Sequence, residues 1–137
     1  MRTNFEIKSF TEIEFEGKLL DLHNNFSFVS DSFDKNQNAL KLSFKKASGN
    51  WVPQNELKNL TFIFAQINYL KAIAPKPENA EDDHCLAGIT FFNSEDRMEN
   101  YSLTEKPFPG PDDDIIFTFE SDRVFRINCE AIKLIAE

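Results

Sequence analysis

The chain has 137 residues, of which 41% are hydrophobic and 13% aromatic, 15 of them Phe; that is enough apolar bulk to fill a core and excludes a largely disordered chain. At this length folding removes roughly two thirds of the unfolded chain's surface from water, so one domain over residues 1–137 needs no disulfide or metal to hold it. Fifteen Lys and Arg against 23 Asp and Glu leave a formal charge of -8, which repels nucleic-acid phosphates and anionic lipid and leaves a cationic partner as the easier fit.

The opening MRTNFEIKSF carries no apolar leader core, and no stretch approaches the ~18 apolar residues that cross a bilayer. A cytoplasmic protein with no membrane contact is the expectation. From Phe5 to Phe15 the apolar residues Phe5, Ile7, Phe10, Ile13 and Phe15 alternate with a break near Ser9 and Phe10, which predicts a strand with a bulge or two short strands before a turn at Gly17. Phe26 and Phe28 begin the next strand. Asp31 to Asn38 reads as a hairpin connection into Leu40, Leu42 and Phe44, and Ser48-Gly49-Asn50 ends that strand, with Lys41, Lys45 and Lys46 on its wet face.

Asn55 to Ile73 fits two templates, a helical stripe through Leu60, Ile63, Phe64, Ile67 and Leu70 or a strand through Leu60, Phe62 and Phe64. The aromatic and β-branched residues favour the strand. Pro75 to Asp83, with two prolines and four acids, predicts an exposed loop, and Cys85 to Phe92 resumes a strand. A turn at Asn93 to Asp96 and a weaker strand around Tyr101 and Leu103 follow. Pro107-Phe108-Pro109-Gly110-Pro111 and then Asp112-Asp113-Asp114 predict a second exposed loop, since prolines cannot donate to a ladder. The clearest hairpin is the last: Ile115 to Glu120, a turn at Ser121-Asp122, and Arg123 to Cys129, with a bulge expected at Glu130-Ala131 before Ile132 and Leu134. Seven to nine strands at this spacing predict an all-β fold, an antiparallel sandwich or strongly curved sheet, with room for one short helix.

Chemistry is sparsely provided. Only His23 and His84 supply an imidazole. His84 and Cys85 are neighbours whose side chains point to opposite faces of a strand, so a thiol–imidazole pair requires His23 to reach Cys85 across the fold. Asp21 and His23 share a face if that segment is a strand; the plainer reading is an ordinary polar pair. Asp82, Asp83 and His84 carry metal-ligand atoms, yet a hydrated acidic loop tip is the better account of them, and Asp112 to Asp114 lack the spacing of an EF-hand. No metal and no cofactor are expected. Cys85 and Cys129 are expected to be reduced, Cys129 filling core volume in phase with Phe125 and Ile127. The lone tryptophan, Trp51, is read as a loop aromatic folded back over the core rather than a stacking platform.

The order Leu22-His23-Asn24, Leu40-Lys41-Leu42-Ser43-Phe44, Leu60-Thr61-Phe62-Ile63-Phe64, and Phe117-Thr118-Phe119 through Ile127-Asn128-Cys129-Glu130-Ala131-Ile132 is similar to small bacterial β-rich proteins, some of them polymorphic-toxin immunity families of the Imm50-like kind. The likeness spans about residues 20 to 135. Members often have Leu-His-Asp where this chain has Asn24, and the resemblance supplies no catalytic residues. It implies a non-enzymatic module that binds a protein partner. The candidate partner-binding residues are Glu81, Asp82, Asp83, Phe108, Asp112, Asp113 and Asp114, acidic groups beside an aromatic anchor for a basic protein. The alternative is a small-molecule-binding protein or hydrolase with a cleft near Asp21, His23 and His84, and the separation of the two imidazoles discriminates between them.

Overall fold

The computed structural model describes residues 1–97 and 106–137. Its strands are β1 (Arg2–Thr3), β2 (Glu6–Ile7), β3 (Glu12–Phe15), β4 (Lys18–Asp21), β5 (Phe26–Asp34), β6 (Ala39–Lys46), β7 (Asn59–Ile73), β8 (Leu86–Asn93), β9 (Asp113–Phe119) and β10 (Val124–Ala136). A 3₁₀ turn at Pro77–Asp82 interrupts the first expected acidic loop, and among the described residues no helix reaches seven residues. The fold is all-β, as its two-residue periodicity predicts, and none of the described helices is long and apolar enough to cross a membrane. The expected strand at Tyr101 and Leu103 lies outside the described residues.

Seven strands form one sheet in the order β5-β6-β7-β10-β9-β8, with β1 alongside β10, and β2-β3-β4 form a second, smaller sheet. All pairings are antiparallel except that of β1 with β10. The ambiguous segment is a strand from Asn59 onward, which pairs with β6 over Asn59 to Ala65 and with β10 from Leu60 to Ile73. The long sheet does not close into a barrel. Its two outermost strands nevertheless approach each other at one corner, where Phe28 N–H of β5 donates to the His84 carbonyl ahead of β8 at 2.8 Å.

Local chemistry explains the turns. Glu16 and Gly17, both at positive φ, make the two-residue turn that matches the twist of the β3–β4 hairpin. The inward set of β10 changes from Phe125, Ile127 and Cys129 to Ile132 and Leu134 across Glu130-Ala131, and the register against β7 slips between Asn128 and Cys129, where β7 steps from Tyr69 to Ile67 and so carries the extra residue. The core is one cluster of phenyl rings and aliphatic side chains drawn from both sheets, including Ile13 and Leu20 of the small one. Phe117 packs edge-on against Phe62 and Phe64, with centroids 5.4 and 5.8 Å away.

The second acidic loop is corrected. Asp112 is exposed, but Asp113 and Asp114 are buried and belong to β9. Asp114 is wholly inaccessible and accepts from Arg126 Nε at 2.7 Å, from Arg97 Nε and Nη2 at 2.8 and 2.7 Å, and from Asn128 Nδ2 at 3.0 Å. Asp113 accepts the Gly110 N–H at 2.6 Å and pairs with Lys106. The outer face of β9 and β10 is therefore a small second interior, where cations neutralise two acids expected in an exposed loop. Arg97 also lies 3.7 Å over the Tyr69 ring.

Candidate functional site

The site begins with a turn. Asp21 ends β4, and its Oδ1 accepts the backbone N–H groups of His23 and Asn24 at 3.1 and 2.9 Å while Oδ2 accepts Asn24 Nδ2 at 2.9 Å. The carboxylate thus shapes Leu22-His23-Asn24 through backbone groups rather than by orienting the imidazole. The ring is oriented from the other side of the fold, where Nδ1 sits 2.6 Å from the Leu86 carbonyl of β8. A carbonyl only accepts, so Nδ1 carries the proton in this arrangement.

Cys85, one residue before β8, brings Sγ to 3.4 Å from the same Nδ1. The encounter that the sequence leaves to chance therefore occurs, because Phe28–His84 pairing delivers this segment to the β4–β5 connection. It is not an activated thiol. Nδ1 already donates to Leu86, and burial, together with the nearby negative charges of Glu120 and Asp82, pushes the Cys85 thiol pKa up rather than down. Cys129, in the core, is pushed up to about 12 by burial and is inert.

His23, His84 and Cys85 line a single cleft of about 340 Å³ with Asn24, Ser48 and Trp51. The two imidazoles converge, and that is the observation the alternative reading requires; the acid beside them is Glu120 rather than Asp21. His84 is exposed, with Nδ1 3.2 Å from the Glu81 carbonyl. Glu120, just after β9, presents a carboxylate so that one ligand atom each from His23, Cys85 and Glu120 lie within 4.8 Å of one another. The Asp82–Asp83–His84 run is not that grouping: Asp83 is turned inward, accepting Ser121 Oγ at 2.6 Å and Arg123 Nε at 2.8 Å. Those hydrogen bonds, Arg123 first, hold the Asp83 carboxyl below its ordinary range.

Trp51 departs from expectation. Its side chain is 64% exposed, and Nε1 donates to the Asn24 carbonyl at 2.8 Å. The indole covers Gly49 so closely that a Cβ there would fall 2.0 Å from the ring. The absence of a side chain at Gly49 lets the indole lie flat, as a fixed wall of the cleft. Of the remaining candidates, Glu81, Asp82, Asp112 and Phe108 are exposed, and the rest are engaged in the pairs described above. Glu120 is the residue that sequence reasoning passes over, whereas Trp51 is singled out there and read as a cover for the core instead of the exposed wall that it forms. Comparison with protein-family models, curated proteins and solved structures finds no match to this chain.

Proposed function

We propose that this protein is a non-enzymatic binding module that captures a basic segment of a protein partner at the cleft between Trp51 and the acidic 3₁₀ turn. The carrying observation is an exposed indole, hydrogen-bonded to the Asn24 carbonyl, in a cleft also lined by Cys85, whose thiol pKa is raised by burial first and then by the charges of Glu120 and Asp82 nearby. A guanidinium or ammonium group gains from both, by stacking on the indole and by attraction to the acids. Glu78 and Glu81 extend the negative rim, and the net charge of -8 favours encounter with a cationic surface. An immunity-like role and a cytoplasmic setting belong to this proposal, as does an anchoring role for Phe108.

A second reading, small-molecule binding in the same cleft, is favoured by the convergence of His23 and His84. Thiol-based hydrolysis is disfavoured by the protonated thiol. The test is fluorescence anisotropy of a labelled arginine-rich peptide, with chelator present, against the intact chain. Binding should weaken about tenfold or more in Trp51→Ala and in the combined Glu81→Gln, Asp82→Asn, Glu120→Gln variant, and should fade with added salt. Equal affinity for an acidic peptide, or no loss in either variant, would overturn the reading.

A further inference from the structure

We propose that His23, Cys85 and Glu120 form a binding site for a divalent transition ion of the zinc class, with one coordination position left open to the cleft. The three residues come from the β4–β5 connection, the entry to β8 and the exit of β9, and they meet with one imidazole nitrogen, one sulfur and one carboxylate oxygen inside 4.8 Å. In a tetrahedral zinc site, bonds of about 2.3 Å to sulfur and about 2.0 Å to nitrogen place those two ligands about 3.5 Å apart. Cys85 Sγ and His23 Nδ1 are 3.4 Å apart. That separation matches two ligands of one ion once Nδ1 turns from the Leu86 carbonyl, and Glu120, exposed just after β9, has the freedom to complete the set.

The donor chemistry narrows the ion. A thiolate and an imidazole with one carboxylate suit zinc and its neighbours, whereas calcium and magnesium require oxygen throughout. Loading releases the Cys85 thiol hydrogen to solvent as the sulfur–metal bond forms, and Nδ1 of His23 becomes a ligand only by giving up its hydrogen and its bond to the Leu86 carbonyl. Three protein ligands and an open fourth position facing a cleft are the arrangement of a site that receives a further ligand rather than one that only staples the fold. Asp82, which is close enough to act on the Cys85 thiol, adds negative charge that favours the cation.

This inference stands apart from the basic-partner proposal, because it is tested with metal alone. Cobalt(II) is the probe, added to the reduced protein under a non-thiol reductant. One equivalent should produce a thiolate-to-cobalt charge-transfer band in the near ultraviolet and the visible bands of a four-coordinate ion, and zinc should bleach both by displacement. Cys85→Ser should abolish the charge-transfer band, His23→Gln and Glu120→Gln should each weaken binding about tenfold or more, and Cys129→Ser should leave the spectrum intact. A folded chain with no such band, or a band that survives Cys85→Ser or disappears with Cys129→Ser, would overturn the site. If Cys85→Ser does not fold, Glu120→Gln, altered at an exposed position, decides: unchanged zinc affinity rejects the three-ligand set.

Discussion

Asp114 and Arg126 are both wholly inaccessible and share a 2.7 Å ion pair, so removing the Asp114 charge takes from a buried guanidinium the carboxylate that its Nε is bonded to. Asp114→Asn is expected to cost about 3–5 kcal/mol in chemical denaturation, whereas Asp114→Leu with Arg126→Met should recover much of that loss. Equal destabilisation by the single and double variants would refute this account. The same group makes stability depend on acid. Burial raises the Asp114 pKa, but the hydrogen bonds from Arg97, Arg126 and Asn128 outweigh it and the net shift is downward, as it is for Asp83. A carboxyl depressed in the folded state contributes stability above its unfolded pKa, near 3.9, and that contribution is lost as pH falls through the lower folded value. Thermal denaturation should therefore show little change from these groups between pH 7 and 5 and a steep fall below about pH 4. Gly49 gives a sharper test of the cleft. Gly49→Ala should leave the fold in place while forcing the indole off its seat, which would shift Trp51 emission and weaken peptide capture without altering Trp51 itself.

At the scale of elements, alternation was legible wherever a strand has one face in the core, as in Leu40, Leu42 and Phe44 of β6 and Leu60, Phe62 and Phe64 of β7. It failed where a strand is buried on both faces. β9 shields Asp114 and Ile116 on one side and Ile115 and Phe117 on the other, so no polar–apolar contrast marked its start, and three consecutive acids read as loop. The cleft was illegible for a different reason: His23, Cys85 and Glu120 are far apart in the chain, and only the corner where β5 meets the entry to β8 unites them. That outer strand carries its own hazard. Val29 and Phe33 of β5 are exposed, at 54% and 50%, among Asp31 and Asp34. Charges on an edge discourage a second chain from adding a strand. Asp31→Thr with Asp34→Thr is expected to promote self-association, read by light scattering as a growth in mass with concentration; a monodisperse variant would show that the acids do not guard this edge.

For the molecule as a whole, the stacked and edge-on phenyl rings carry the packing. Phe117→Ala, at a wholly buried position between Phe62 and Phe64, should cost about 3–5 kcal/mol in denaturant titration. A loss below about 1 kcal/mol would mean that the ring contributes little to the native core. β10 holds a singular place, since it joins β7 on one side to β9 and β1 on the other. Everything from β5 to β9 precedes it in the chain. During synthesis at about 5–20 residues per second, the ribosome therefore exposes two unfinished half-sheets whose facing rims have nothing between them, and the nascent protein must wait for its final seam before either half is sealed.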